Sequence, residues 1–130
     1  MFLQIDAHNG LAVYDQIVRQ VKFAVADGAI APGELVPSVR ELARELTINP
    51  NTVARAYRQL QDDGVLAAVR GTGLAVADSA RRLCQTERTK LIRARLRMVL
   101  DEAANSGLDP HEIEQLVRAE SIAARRGKQK

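Results

Sequence analysis

A polar segment at residues 49–52 carries side chains suited to hydrogen bonding with the bases of a duplex. An asparagine amide can pair at two points with adenine, a threonine can contact a thymine methyl group or a phosphate, and an arginine can reach guanine or the backbone. Short polar groups at the start of a helix are typical of a segment that enters the major groove. The candidates for DNA contact in this segment and just after it are Asn49, Asn51, Thr52, Arg55 and Arg58.

Each of these residues also has a purely structural interpretation. Asn49 precedes Pro50, and this pair favours a helix cap followed by the first helical residue, so capping is the preferred role of Asn49. For Asn51, Thr52 and Arg55 we favour DNA contact over a solvated face, because a groove-facing turn needs short polar groups. For Arg58, which lies further along the helix, contact and solvation stay equally open.

A second group of candidates lies at the start of the preceding helix. Ser38 stands three residues before Glu41, a spacing typical of a capping box. Arg40 follows the cap, where its side chain and the free backbone N–H groups can hold a phosphate. The alternative for Arg40 is a surface ion pair with Glu41 or Glu45, and we favour the phosphate.

The third group is a glycine turn between two short apolar runs. Arg70-Gly71-Thr72-Gly73 allows a tight turn, and Arg70 can enter the minor groove, whose negative potential attracts arginine. An ordinary hairpin also uses glycine in this way, so the turn alone is a weak signal.

The elements that must position these groups follow from apolar spacing. The pattern predicts an extended arm with Phe2, Leu3 and Ile5 over residues 1–10, helices over 11–26, 38–46 and 50–63, and a loop over 29–37. Strands are predicted over 65–69 and 74–77. Three helices and a two-stranded ribbon indicate a winged helix-turn-helix, so the fold class is mainly α, with a small β component.

Residues 78–130 predict two further helices, one over 80–104 and one opening at Asp109-Pro110, with a frayed basic tail from residue 125. Their apolar residues are too many for two helices to bury alone. We expect a second copy to cover them; docking back onto the winged domain is the alternative. The predicted dimerisation residues are Leu83, Leu91, Ile92, Leu96, Val99, Leu100, Leu108, Ile113, Leu116 and Val117.

Composition excludes several classes of protein. Only 3% of the 130 residues are aromatic and Trp is absent, which disfavours a platform that stacks single-stranded bases. One cysteine, Cys84, and two histidines provide no zinc set, so no metal or cofactor is expected. Cys84 is interpreted as a small core residue. Without a signal peptide or membrane span, we expect a cytoplasmic protein.

Charge is distributed unevenly around a net value of +3. Residues 1–77 hold seven Lys or Arg against eight Asp or Glu, whereas residues 78–130 hold twelve against eight. The slight acidity of residues 1–77 supports one alternative function, a winged-helix protein-interaction module that does not read DNA. An enzyme is not expected, since no nucleophile with a neighbouring base and no phosphate-binding loop can be identified.

The runs 37–43, 49–60, 63–66 and 70–73 together resemble the N-terminal signature of the GntR family of bacterial winged-helix transcription regulators, and the short C-terminal part is similar to its YtrA-like subgroup. The resemblance implies a DNA-binding domain over 1–77, a dimerisation region over 78–125 and a basic tail over 126–130. It also implies a dimeric repressor of a palindromic operator, often of a transporter operon. The sequence itself does not require a small-molecule effector. Many members carry Arg where this chain has Pro50 and Ala54, so its base readout should differ.

Overall fold

The computed structural model describes residues 3–128 of the chain. The chain divides into two compact units, one ending at Lys90 and one beginning at Leu91. The elements, in chain order, are α1 (Val13–Asp27), α2 (Val39–Leu46), α3 (Pro50–Asp62), β1 (Leu66–Val69), β2 (Gly73–Val76), α4 (Ala80–Asn105) and α5 (Pro110–Lys128). The predicted mainly helical fold with a two-stranded ribbon is confirmed.

The segment before α1 is hydrogen-bonded to that helix through two glutamine side chains. The amide of Gln16, which is buried, donates to the Asp6 and Leu11 carbonyl oxygens and accepts from the Asp6 N–H at 2.8 Å. Gln20 exchanges hydrogen bonds with the Gln4 backbone in both directions. Of the apolar residues of the predicted arm, Leu3 is buried in the core, while Phe2 lies outside the described residues.

Local signals determine where α2 and α3 begin. Ser38 accepts from the Glu41 N–H and Glu41 accepts from the Ser38 N–H, both at 3.1 Å, so the predicted capping box is present. Asn49 caps α3 by accepting from the Asn51 N–H at 2.8 Å, and Pro50 occupies the first helical position. Between the two helices Thr47 adopts a left-handed conformation with φ of 55° and ends α2.

The ribbon is an antiparallel pair in which Leu66 lies opposite Val76 and Val69 opposite Gly73. A third segment, which the sequence analysis assigned to a loop, pairs with the other edge of β2. The Val36 N–H donates to the Leu74 carbonyl at 2.9 Å, and the Val76 N–H donates to the Glu34 carbonyl at 3.0 Å. The predicted loop over 29–37 therefore contains one β-bridge, between Leu35 and Ala75, while its other residues form turns or irregular structure.

One hydrophobic core joins α1, α2, α3 and the ribbon. Ile17, Leu42, Val53, Leu60 and Val65 are fully buried in it. The first turns of α4 belong to this core through Ala80 and Cys84, both fully buried. Burial raises the pKa of the Cys84 thiol, which is in keeping with its interpretation as a small core residue.

The start of α4 also contacts the end of α1. The Gln85 amide donates to the Ala26 carbonyl at 3.3 Å, and the Arg81 guanidinium lies against Gly28. Gly28 ends α1 with φ of 83°, and a Cβ atom there would lie 3.2 Å from an Arg81 nitrogen. The compact N-terminal unit therefore extends into α4, beyond the residue 77 at which the sequence analysis places its domain boundary.

The second unit consists of the later part of α4 and of α5. Asp109 caps α5 by accepting from the Glu112 N–H at 2.9 Å, and Pro110 begins the helix, as predicted. Helix α5 continues through Lys128, so the expectation of fraying from residue 125 is wrong for the described residues. Good helix formers and Arg125, Arg126 and Lys128 beside the negative end of the helix dipole account for this continuation. No residue of α5 among those described is buried.

Candidate nucleic-acid interface

The helix-turn-helix presents the start of α3 to solvent. Asn49 and Asn51 are exposed and Thr52 is half-buried, while the apolar residues Val53 and Tyr57 on the opposite face are buried in the core. The Asn49 side-chain oxygen is engaged with the Asn51 N–H, so the preferred capping role of Asn49 is confirmed. The side chains of Asn51 and Thr52 make no hydrogen bond within residues 3–128, which leaves both able to bind a ligand.

Arg55 is held by an aromatic ring from another helix. Its Cζ atom lies 3.7 Å from the centroid of the Tyr14 ring in α1, a cation–π contact. Together with Val13, Asn51 and Thr52 these two residues line an open cleft of about 330 Å³. The structure thus brings together three predicted DNA-contacting residues, Asn51, Thr52 and Arg55, in one concavity.

Arg40 and Arg58 are exposed on α2 and α3 and do not line this cleft. Among residues 3–128 the ion pairs join Arg19 to Asp15, Lys22 to Asp63 and Arg97 to Asp101, so neither arginine is engaged by a carboxylate. The ion pair of Arg40 with Glu41 or Glu45, weighed as an alternative above, does not form.

Glu41 is instead occupied by the capping box. The hydrogen bonds from the Ser38 backbone and side chain lower the pKa of the Glu41 carboxyl, with a smaller contribution from Arg44. Ser38 is exposed, and its hydroxyl oxygen accepts from the Glu41 N–H. The Ser38 hydroxyl is therefore engaged by Glu41 within the capping box, and its DNA-contacting role stays a prediction.

The tip of the ribbon is a short turn with two glycines in conformations that favour glycine. Gly71 has φ of 77° and Gly73 has φ of 140°, and the Thr72 N–H donates to the Val69 carbonyl at 2.9 Å. Arg70, Gly71 and Thr72 are all exposed. The turn therefore projects a cationic side chain beside backbone that another molecule can approach closely.

Tyr14 is the member of this site that the sequence analysis did not assign to it. It lies in the apolar stripe of α1 and is half-buried, with one ring face against Arg55. No signal in the sequence distinguishes it from the core residues of the same stripe.

Comparison with known proteins gives the family. Residues 13–76 match the family described as bacterial regulatory proteins, gntR family. The HTH-type transcriptional repressor YtrA of Bacillus subtilis (strain 168) is 30% identical over 126 residues, which cover 97% of each chain. The chain belongs to the GntR family.

Solved structures agree with this assignment. A GntR family transcriptional regulator from Listeria monocytogenes is 30% identical, with a TM-score of 0.70 over 88% of this chain and 98% of that chain. A crystal structure of the AraR DNA-binding domain with operator ORE1 is 25% identical, with a TM-score of 0.50 over 59% of this chain and 94% of that one.

These matches confirm three predictions for the GntR chain. Its N-terminal unit is a winged helix-turn-helix, the similarity to YtrA along nearly the whole of both chains agrees with the YtrA-like subgroup, and the chain is a transcription regulator, not an enzyme. Within residues 3–128 no helix combines the length and the apolar character needed to cross a bilayer. The DNA-contacting and dimerisation residues named above stay predictions.

The second unit of the GntR chain carries an apolar groove. It has a volume of about 470 Å³ and is lined by Leu96 and Val99 of α4, by Leu116 and Val117 of α5, and by Glu120, Ser121 and Ala124 at one end. Leu96, Val99 and Leu116 are between 49% and 59% exposed, values that are high for large apolar side chains on one continuous surface.

Proposed function

We propose that this GntR regulator binds a palindromic operator as a homodimer and represses the genes behind it, a transporter operon being the expected target. The observation that carries the proposal is the exposed polar start of α3, where Asn51, Thr52 and Arg55 line one cleft. The wing tip at residues 70–72 is exposed as well. A repressor that acts on an operator must reach DNA, so the proposed location is the cytoplasm.

Base reading is assigned to the outward face of α3. Asn51 and Arg58 project from the side of the helix opposite its buried residues, where the major groove would lie. Arg40 and Ser38 at the start of α2 are assigned to phosphates, which fix the register of the protein on the duplex. Arg70 at the wing tip is assigned to the minor groove.

Dimerisation is assigned to the apolar groove of the second unit and to the residues around it. Within residues 91–128 no side chain is buried, although leucine, isoleucine and valine recur along both helices. A second copy that presents the same face would cover these residues symmetrically. A dimer also explains a palindrome, because two-fold symmetry in the protein requires two matching half-sites about 34 Å, or one turn, apart.

The binding experiment starts from a library of random-sequence duplexes selected on the wild-type protein. We expect a palindromic consensus, and the consensus duplex then becomes the probe in fluorescence anisotropy. Arg40→Ala and Thr52→Ala should each weaken binding by about tenfold, with the dimer intact by sedimentation. Arg118→Ala, which removes an exposed arginine from α5, is the matched control and should bind like the wild type.

Three results would contradict the proposal. Equal binding by the wild type and by both variants would contradict the DNA-contacting roles of Arg40 and Thr52. Enrichment of a sequence without two-fold symmetry would contradict a palindromic operator. Failure to bind any duplex in a salt-dependent manner would favour the protein-interaction module instead, because neutralised phosphates release counterions and make DNA binding steeply dependent on salt. Genome-wide occupancy, together with transcript levels in a deletion strain, tests the repressed operon.

A further inference from the structure

The contact between Tyr14 and Arg55 joins two helices at the edge of the candidate interface. Tyr14 lies in the first turn of α1, and Arg55 lies near the start of α3. We propose that Tyr14 is a positioning residue that holds the Arg55 guanidinium against a phosphate of the operator. The inference rests on the proposed function and adds to it a residue and the kind of DNA group that the residue serves.

The contact leaves the hydrogen-bonding capacity of Arg55 free. A guanidinium over an aromatic ring is held through one face, while its N–H groups point outward in the plane of the group. Arg55 is exposed, and no carboxylate within residues 3–128 forms an ion pair with it. Its positive charge is therefore oriented and not neutralised, which is the state that a bidentate contact with phosphate requires.

The surroundings of Arg55 favour phosphate over a base edge. Arg55, Asn51 and Thr52 line a cleft of about 330 Å³ whose other wall is Val13 and Tyr14 of α1. Base edges lie at the floor of a groove and are reached by side chains that project from the protein surface, whereas phosphates protrude from the duplex and can enter a concavity. The Thr52 hydroxyl adds a neutral donor beside the guanidinium.

Positioning matters because an arginine side chain has many rotamers in solution. Contact with the ring restricts these rotamers before DNA arrives, so less conformational freedom is lost on binding. The ring face provides the attraction and the tyrosine hydroxyl does not. Phenylalanine should therefore replace Tyr14, and an aliphatic residue of similar size should not.

The experiment is a double-mutant cycle on the full-length chain, with the selected consensus duplex as the probe. Tyr14→Leu should weaken binding by about two- to fivefold, the range for an exposed cation–π contact. Tyr14→Phe should bind like the wild type. In an Arg55→Ala background, Tyr14→Leu should cause no further loss, because the residue it positions is gone.

Two further measurements test the phosphate assignment. The slope of log affinity against log salt should become shallower by about 0.9 in Arg55→Ala, the change expected for one lost phosphate contact. The fold loss of Arg55→Ala should be equal on the consensus duplex and on an unrelated duplex of the same length, because phosphates carry no sequence information.

Several outcomes would overturn the inference. Equal losses from Tyr14→Leu in the wild-type and Arg55→Ala backgrounds would mean that Tyr14 acts only through the stability of α1. An unchanged salt slope, or a loss confined to the consensus duplex, would replace the phosphate with a base. These results all need a wild type that binds DNA. A wild type that binds no duplex would overturn the proposed function. A wild type that binds DNA but gives one of the results above would overturn only the inference about Tyr14, and so the two failures are distinguishable.

Discussion

The two compact units use their apolar residues in opposite ways. In the N-terminal unit α1, α2, α3 and the ribbon bury isoleucine, leucine and valine almost completely around one core. The second unit, which begins at Leu91, leaves its large apolar side chains about half exposed. Examples are Ile92, Leu96, Val99 and Leu116. The first unit is complete as a single chain, whereas the second has an apolar surface suited to a partner. The effect of a substitution should therefore be independent of protein concentration in the first unit and depend on it in the second.

The largest expected effect is in the core of the first unit. Leu60→Ala removes a fully buried side chain and should lower the free energy of unfolding by about 2–5 kcal/mol, because it leaves a cavity. Urea denaturation should give the same loss at low and high protein concentration. Leu96→Ala is the counterpart in the second unit and should mainly weaken self-association in sedimentation. An equal, concentration-independent loss in both variants would break the comparison between the units.

A buried ion pair should give the next largest effect. The Lys22 ammonium, 7% exposed, lies 2.7 Å from the Asp63 carboxylate at the end of α3. Asp63→Ala leaves that charge buried without its partner and should lower the free energy of unfolding by about 1–3 kcal/mol. Adding Lys22→Met should restore most of the loss, since an apolar side chain of similar length replaces the charge. If the double variant is no more stable than Asp63→Ala, the Lys22 ammonium is solvated when its partner is removed.

Tyr57 makes the first unit sensitive to alkaline pH. Burial, with smaller contributions from Glu45 and Glu41, raises the pKa of Tyr57 above its ordinary value, and its hydroxyl donates to the Pro37 carbonyl at 2.8 Å. The protonated Tyr57 hydroxyl therefore stabilises the fold fully at pH values below about 10, the pKa of tyrosine in the unfolded chain. This contribution to the free energy of unfolding is lost as the pH rises above that value. Tyr57→Phe should cost about 1 kcal/mol at neutral pH, where the hydrogen bond is lost.

The alkaline part of this prediction has an internal control. The chain has two tyrosines, so Tyr14→Phe should keep the fall in stability above pH 10 and Tyr57→Phe should remove the part due to tyrosine ionisation. Absorbance of tyrosinate during a pH titration of the Tyr14→Phe variant reports Tyr57 directly. Ionisation of Tyr57 near pH 10 in that folded variant would contradict the assignment.

The smallest effect is expected at the cap of α5 in the second unit. The hydrogen bond from the Glu112 backbone lowers the pKa of the Asp109 carboxyl. The cap is therefore fully effective above the unfolded pKa of about 3.9 and weakens as pH falls through the lower folded value. Asp109→Asn keeps a capping oxygen and should make α5 helicity, measured by circular dichroism at 222 nm, less dependent on pH between 2 and 5. If the loss of helicity at acid pH is the same in this variant as in the wild type, the loss comes from carboxylates other than Asp109.

What the sequence could predict was mostly local. The capping box at Ser38 and the Asn49-Pro50 start of α3 depend on neighbours within a few residues, and both helix starts agree with the structure. The fold class followed from them, because the order of three helices and a ribbon admits few arrangements.

What the sequence could not predict depended on partners far apart along the chain. The pairing of residues 33–36 with β2 has no local signal, since Pro32, Gly33 and Pro37 dominate the segment. The stacking of Arg55 on Tyr14 is equally remote, and in the apolar stripe of α1 a tyrosine is indistinguishable from a core residue. The site was therefore predicted as a set of donors along α2, α3 and the wing, without the wall that α1 provides.

The pairing of residues 33–36 with β2 also determines how the sheet can meet other chains. Strand β2 is bonded on both edges, and within the described residues the open edge of the ribbon lies along β1, at Leu66–Val69. A free edge invites the addition of a foreign strand and, with it, aggregation. Here that edge spans four residues. Substitutions that detach residues 33–36 would also expose the second edge of β2, and turbidity on storage should then increase before any loss of helix.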